Sequence, residues 1–242
     1  MKRSAVLRRE TSAPRLLSAA EGYDLAAGTY DAWAWSRFWD QVETPLVEAW
    51  LRSRPTGDAI DLGCGSGRYR NLIQELGNSY TGVDVSEKML DENRNKHRDD
   101  VDAAHGTLIN ADIANVPLPD AAADSIVCTR VLSHVRAPRR VFREIRRLLR
   151  PGGECFLSDI DPTHAYDYTH IPTPGGDVAI ETHKHTWDSL AKSIADIGGL
   201  TVVRRAVHTP QSLHSGATPF KLPNGRRAIR KPLLDICVLR SE

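Results

Sequence analysis

The chain has 242 residues, 40% hydrophobic and 26% charged, with a formal net charge of +1. That length fits one α/β domain with some decoration and is enough to bury a real core. The near-neutral balance gives no ground for nucleic-acid binding, and no apolar run approaches the ~18 residues of a membrane-spanning helix.

The first 17 residues, "MKRSAVLRRETSAPRLL", carry five Lys or Arg against one Glu. They hold no apolar h-region, so they do not read as a secretory signal. An organellar transit peptide and a solvated tail both suit the composition, and residues 1–20 are expected as a basic, flexible tail. Residues 21–54 are expected as a helical cap. Within it, 36–53 has Phe38, Val42, Leu46, Val47, Trp50 and Leu51 on one side of a helix, with Pro45 as a kink or a fresh start.

From residue 59 strands and helices alternate. Strands are expected at 59–62, 80–85, 107–110, 125–129 and 154–159, and helices at 68–76, 87–97 and 138–149. Ser86 is a good N-cap for the second helix, and "RPGG" stops the third. This alternation marks right-handed βαβ crossovers and a parallel sheet. Residues 160–185, rich in Pro, Gly and Thr, look like an insertion. A helix at 186–197, a strand at 200–205, a basic loop at 207–231 and a strand at 233–239 complete the domain, which spans 55–242. Cys64, Cys128, Cys155 and Cys237 form no CxxC pair. The last three sit in apolar runs and read as core residues, which points to a reducing, cytoplasmic setting.

The chemistry begins at "AIDLGCGSGRYRNLI". Gly63, Gly65 and Gly67 follow one strand and open the next helix. Such a corner permits unusual dihedrals and lets a ligand approach bare backbone, either a phosphate or a carboxylate plus ribose. The glycine spacing is not that of dinucleotide enzymes, and no Lys-Ser/Thr follows, so this is not a P-loop. Asp84 ends the next strand, 23 residues after Asp61, where an acid hydrogen-bonds ribose hydroxyls in doubly wound folds. Asp112 follows the third strand, either accepting from an adenine amino group or capping a turn.

Four segments occur in order: "AIDLGCGSGRY", "GVDVSEKML", "ADIANVPLPDAAADSIVCTRVLSHV" and "REIRRLLRPGGECFLSDI". Together they resemble class I S-adenosylmethionine (SAM) dependent methyltransferases. The nearest kind is the ubiquinone/menaquinone-biosynthesis type with a type 11 methyltransferase domain, over about residues 55–160. The resemblance implies a Rossmann-like, doubly wound α/β fold. Its seven-stranded sheet would be mostly parallel, with the last strand antiparallel, helices on both faces and an N-terminal helical cap. It implies SAM as cofactor and S-adenosylhomocysteine as product. Asp61, Gly63, Gly65 and Gly67 would surround the methionine portion, and Asp84 would hold the ribose diol. Val85 and Met89 would line the adenine, with Asp112 and Ile113 at its edge. Thr129 would lie near the sulfonium, and Tyr30 would cap the cofactor. Arg130 stands where this type usually has an apolar residue, and it either points at an anionic substrate group or pairs with a nearby acid.

Methyl transfer from a sulfonium is an in-line displacement, in which the protein mostly positions and excludes water. No dedicated catalytic residue is strictly needed, though a general base can serve an oxygen or nitrogen acceptor. His134 is one candidate, its other reading being a loop-capping histidine. Asp159, His164 and Tyr166, just past the fifth strand, are the others and the expected substrate contacts. His183 and His185 form an HxH pair. With no Cys or carboxylate cluster at metal-binding spacing, they read as pocket lining, and no metal is expected. Tyr23, Tyr30, Trp33, Trp35, Phe38 and Trp39 either pack the cap onto the sheet or form a lid, with Tyr30 and Trp33 facing the ligand. Aromatic faces also attract a sulfonium cation.

The expected activity is methylation of a small molecule, a secondary metabolite or quinone-like compound, by a monomer or homodimer. Three alternatives stand beside it. One is cyclisation of SAM's aminobutyrate chain with release of methylthioadenosine. The second is a non-catalytic SAM-binding subunit. The third is a nucleic-acid methyltransferase, suggested by the basic 204–231 stretch and opposed by the overall charge.

Overall fold

A computed structural model describes residues 16–98, 106–164, 167–213, 222–223 and 231–242. Its main sheet has seven strands: β2 (Asp58–Leu62), β3 (Ser79–Asp84), β4 (Gly106–Asn110), β5 (Ala123–Thr129), β6 (Leu149–Ile160), β9 (Leu200–His208) and β10 (Leu234–Ser241). Their order is β4-β3-β2-β5-β6-β10-β9. All neighbours are parallel except at β10, which runs antiparallel to both β6 and β9. This is the expected doubly wound sheet.

The central strands read as nearly unbroken apolar runs because both faces are covered. Ile60, Leu62, Ile126 and Cys128 have almost no exposed surface. On one face packs α6 (Pro138–Leu148), which buries Val141, Phe142, Ile145 and Leu148 and turns Arg139, Arg140, Arg143 and Arg146 outward. That apolar stripe of three to four residues per two turns is what a surface helix needs to dock. On the other face pack α2 (Ala34–Val42) and α3 (Thr44–Arg52), burying Phe38, Trp39, Val42, Val47, Trp50 and Leu51. Pro45 stands in the first turn of α3, so the proline makes a fresh start rather than a kink. All four cysteines are free and buried.

The chain runs outward from β2 through β3 to β4, then returns to lay β5 on the other side of β2. Strand order therefore reverses between β2 and β5. In open α/β sheets the crevice at that point, beyond the carboxyl ends of the strands, is where ligands bind. The corner after β2, the N-cap of α5 (Glu87–Lys96) and the turn after β5 all meet there. Ser86 caps α5 as expected, its hydroxyl accepting from Met89 N at 3.1 Å.

Two regions differ from expectation. Residues 160–185 contain a hairpin, β7 (Tyr168–Thr173) and β8 (Gly176–Glu181), turning at Pro174-Gly175. β1 (Leu16–Leu17) pairs parallel with β8, making a small second sheet. A separate helix, α1 (Ala19–Tyr30), lies between this sheet and α5. Of the expected tail, only residues 16–20 are described, and they carry β1 and the start of α1. Ser18 and Glu21 close a capping box at the head of α1, a signature visible in "SAAE". The helix has no strong apolar stripe, and its Gly22 and Gly28 weaken the propensity signal. The other helices are α4 (Arg70–Glu75) and α7 (Trp187–Ile197), with Thr186 capping the latter.

Gly22 lets α1 lie close to the small sheet. A Cβ there would come within 2.4 Å of Ile180 Cγ1, a fully buried atom group. Gly22→Val is expected to cost about 1–3 kcal/mol through overpacking. It should lower the calorimetric Tm by roughly 2–4 °C for each kcal/mol.

Candidate active site

The glycine corner is held open by backbone geometry. Gly63, Gly65 and Gly67 have φ of +75°, +52° and +81°, in the left-handed region that favours glycine. Gly63 N and Cys64 N both donate to Val83 O, at 2.7 and 3.0 Å, folding the corner over β3. Gly65 N donates to Asp84 Oδ2 at 2.8 Å, and Ser86 N donates to Asp84 Oδ1 at 2.9 Å. Each Asp84 oxygen keeps a lone pair for a further donor. Burial pushes the Asp84 carboxyl above its ordinary pKa. Asp61, at the end of β2, is buried, and its Oδ2 has no hydrogen-bond partner among the described residues. Its pKa is pushed up to about 7, chiefly by burial and next by the nearby Asp84 charge.

These acids line a cavity of about 580 Å³. Asp61, Gly63, Gly65 and Thr129 form one wall, and Asp84, Val85 and Met89 form the next. Val85 is an exposed apolar side chain on the cavity wall, which Ile113 also lines. Asp112 also lines the cavity while its Oδ1 accepts from Ala114 N at 2.9 Å, so it caps a turn and faces the space at once. Gly67 lies behind the corner, where a Cβ would strike Asn93 at 2.7 Å, and it does not line the cavity.

The cap closes the opposite side with Tyr23, Tyr30, Trp33 and Trp39. It is bonded directly to the glycine corner and to α5. Asp24 Oδ1 accepts from Ser86 Oγ at 2.6 Å and from Lys88 N at 3.2 Å. Asp31 accepts from Ser66 Oγ at 2.6 Å and from Lys96 Nζ at 3.0 Å. The aromatic cluster thus divides by role. Trp35 and Phe38 pack in the core of α2, whereas Tyr23, Tyr30 and Trp33 stand over the cavity.

His134 lies on the cavity wall, in a single 3-10 turn after β5. Its Nδ1 lies 3.1 Å from Glu181 O, and its Nε2 lies 3.0 Å from the Tyr23 hydroxyl. The carbonyl can only accept, so Nδ1 carries the proton and Nε2 accepts from Tyr23. Burial lowers the His134 pKa to about 4 and raises that of Tyr23, which keeps both groups neutral at ordinary pH.

Arg130 both pairs with an acid and faces the cavity. Its Nε donates to Glu43 Oε2 at 2.8 Å. Glu43, fully buried between α2 and α3, also accepts from Tyr69 Oη at 2.9 Å and Ser158 Oγ at 2.5 Å. The sequence reading missed Glu43, Tyr69 and Ser66, and it placed Tyr23 in the aromatic cap without its bond to His134. An acid immediately before the proline break, in "VETP", was the one available signal for Glu43.

Several expected site residues lie elsewhere. Asp159 accepts from Ser133 N at 2.6 Å and Ile160 N at 2.7 Å, and so braces the turn that carries His134. With His183 and His185 it borders a separate crevice of about 30 Å³, far too small for a substrate. His183 N donates to Ser133 O at 2.6 Å, and His185 Nε2 donates to Val135 O at 2.8 Å. His164 N donates to Asp161 O in a turn outside the cavity lining. Tyr166 lies outside the described residues. The strand-end rule put Asp159 and His164 near the ligand edge, but past Ile160, the last residue of β6 and still on the cavity wall, Pro162 borders the small crevice with Trp187 and Leu190 of α7.

Residues 60–157 match the family model of the methyltransferase domain. Over those residues the chain is similar to methyltransferase domains. The chain is 32% identical over 146 residues to the malonyl-[acyl-carrier protein] O-methyltransferase of Serratia marcescens, covering 59% of this chain and 52% of that protein. It is 30% identical over 136 residues to a ubiquinone biosynthesis O-methyltransferase of Pseudomonas aeruginosa, covering 52% of this chain and 58% of that protein. The chain thus spans little more than half the length of these relatives. A crystal structure of a SAM-dependent methyltransferase from Mesorhizobium loti has the same fold, with a TM-score of 0.59 and 22% identity over 79% of this chain and 96% of that one.

The site residues fit the cofactor that this similarity implies. Asp61 Oδ2 is a buried acceptor lacking a donor among the described residues, which suits an ammonium group. Asp84 has lone pairs to spare for a diol, and Val85, Met89 and Ile113 supply apolar walls. Among the described residues no group of three or more His, Cys, Asp or Glu is placed to hold a metal.

Asp61 yields a pH test. Its carboxyl holds a proton more tightly in the folded chain, about 7 against 3.8. Between those values the folded state binds more protons than the unfolded one, so stability falls as pH rises and the penalty is complete above pH 7. Asp61→Asn should remove this slope and gain on the order of 4 kcal/mol relative to the parent between pH 4 and 8. Urea midpoints of both proteins at the two pH values measure the difference.

Proposed function

We propose that this chain transfers the methyl group of SAM to a small-molecule acceptor bound beneath the aromatic cap. One observation carries the reading. The methyltransferase-type corner, with Asp61 Oδ2 lacking a partner among the described residues and Asp84 available, opens into a cavity that continues past Thr129 to a wall of Tyr23, Tyr30, Trp33 and His134. The O-methyltransferases that the chain is similar to support an oxygen acceptor. The cytoplasm is the proposed setting, supported by four free, buried cysteines.

When bound, SAM supplies an electrophilic methyl on a sulfonium. The chain's work is binding, orientation and removal of one proton. Asp61 would take the ammonium end, Asp84 the ribose hydroxyls, and Asp112 with Ile113 the adenine edge. Tyr30 and Trp33 exclude water and place aromatic faces near the positive sulfur. The Tyr23–His134 pair serves an O–H acceptor as a relay. The Tyr23 oxygen takes the acceptor's proton while its own proton passes to His134 Nε2. Glu181 O holds the resulting imidazolium at Nδ1.

The co-product decides between this reading and its rivals. Purified protein with methyl-labelled SAM and a small-molecule extract should yield S-adenosylhomocysteine and labelled acceptor. Release of methylthioadenosine would mean that the aminobutyrate chain reacts instead. Binding of SAM without turnover on any extract would mean a non-catalytic subunit. His134→Gln and Tyr23→Phe should each lower kcat about 10²-fold or more while leaving the KM for SAM within a few-fold.

A further inference from the structure

Arg130 is built into its place with unusual care. Among the described residues it is one of two non-glycine residues with φ in the left-handed region, at +56°. Such backbone persists where the surroundings over-determine it, and it clusters at ligand sites. Arg130 N donates to Ser158 O at 2.7 Å, which fixes the turn. The guanidinium lies over Trp39, with Cζ 5.2 Å from the ring centroid, and the Nε bond to buried Glu43 sets its rotation. Ring and carboxylate together hold the plane of the fork.

Nε accounts for one of the five N–H donors of the guanidinium. The two terminal nitrogens, with the other four, have no hydrogen-bond partner among the described residues. The side chain is 12% exposed and lines the cavity. The other cavity arginines are differently placed. Arg68 spends its terminal nitrogens on Ser36 and Asp40 of α2. Arg136 is 82% exposed and pairs with Glu181, and Arg140 is exposed on the outer side of α6. Arg130 is therefore an inner cation with donors to spare.

We propose that Arg130 is a carboxylate receptor of the cavity, its terminal nitrogens gripping a bound ligand's carboxylate through two parallel hydrogen bonds. The planar fork matches a carboxylate in shape. Charge argues for a carboxylate over a phosphate. Glu43 already neutralises Arg130, and Asp61 and Asp84 stand nearby, so a single added negative charge is tolerable where a dianion is not. The receptor rests on the methyltransferase reading for the ligands that arrive. The carboxylate comes from the amino-acid end of the cofactor or from the acceptor.

The test uses two matched ligand pairs and calorimetric binding. S-adenosylhomocysteine and methylthioadenosine differ by the amino-acid end. 4-Hydroxybenzoate and 4-hydroxybenzamide, added with and without saturating S-adenosylhomocysteine, differ by the carboxylate alone. Arg130→Gln strands the buried Glu43 charge and so can unfold the chain. The deciding protein is the Glu43→Gln/Arg130→Gln double variant, with Glu43→Gln as its packing control. The wild type should prefer the carboxylate member of one pair, and the double variant should lose about ten- to hundredfold of that preference while Glu43→Gln keeps it. Loss in the nucleoside pair assigns the carboxylate to the cofactor, and loss in the benzoate pair assigns it to the acceptor. Equal ratios in wild type and double variant for both pairs overturn the receptor. Wild-type protein that binds neither nucleoside overturns the methyltransferase reading instead, and the benzoate pair then decides Arg130 by itself.

Discussion

At the meeting point of cap, glycine corner and sheet sits the carboxylate of Glu43, with no exposed surface. A buried charge of that kind costs several kcal/mol unless it is paired and fully hydrogen-bonded. Its donors come from three places: Tyr69 just past the glycine corner, Ser158 on β6 and Arg130 after β5. Satisfying one ion thus fixes how the N-terminal helices sit on the sheet. Burial and the neighbouring Glu43 charge push the Tyr69 pKa far up, so its phenol stays protonated and keeps donating. The break between α2 and α3 is what delivers Glu43 there. A helix continuing unbroken through Pro45 would lose a backbone hydrogen bond and turn the acid elsewhere.

The cap reaches the cofactor side by a second route. Asp24 and Asp31, at the middle and end of α1, accept hydroxyl protons from Ser86 and Ser66. Those serines belong to the α5 N-cap and the glycine corner. Movement of α1 away from the sheet would therefore break bonds to both cofactor-side loops together. His134 joins the same assembly from the other side, because its two ring nitrogens hold Tyr23 of α1 and Glu181 of the small sheet.

The sheet and the glycine corner were legible because they obey local rules. Period, length and punctuation marked β2, β3, β5, α5 and α6, and a hydroxyl before "EKML" marked the Ser86 cap. The small sheet was not legible for the opposite reason. β7 and β8 are short, contain Pro172 and Asp177, and are half exposed, so their strand character comes from pairing with each other and with α1. The site split along the same line. Asp61, Asp84 and Asp112 sit at strand ends, where sequence position nearly determines spatial position. Asp159 and the His183–His185 pair depended on the path of a loop, and that path led to α7. Glu43 and Tyr69 meet across 26 residues through a bond that no periodicity announces.

β10 lies between β6 and β9, antiparallel to both. Its neighbour β9 emerges from the ribosome earlier but has no strand to pair with until β10 arrives. Until then β6 presents an open edge, its backbone from Glu154 to Ile160 without the strand that pairs with it. Such edges invite association with other chains. Completion of the sheet therefore waits on one late segment, and the nascent protein is most exposed to aggregation in the interval just before that segment inserts.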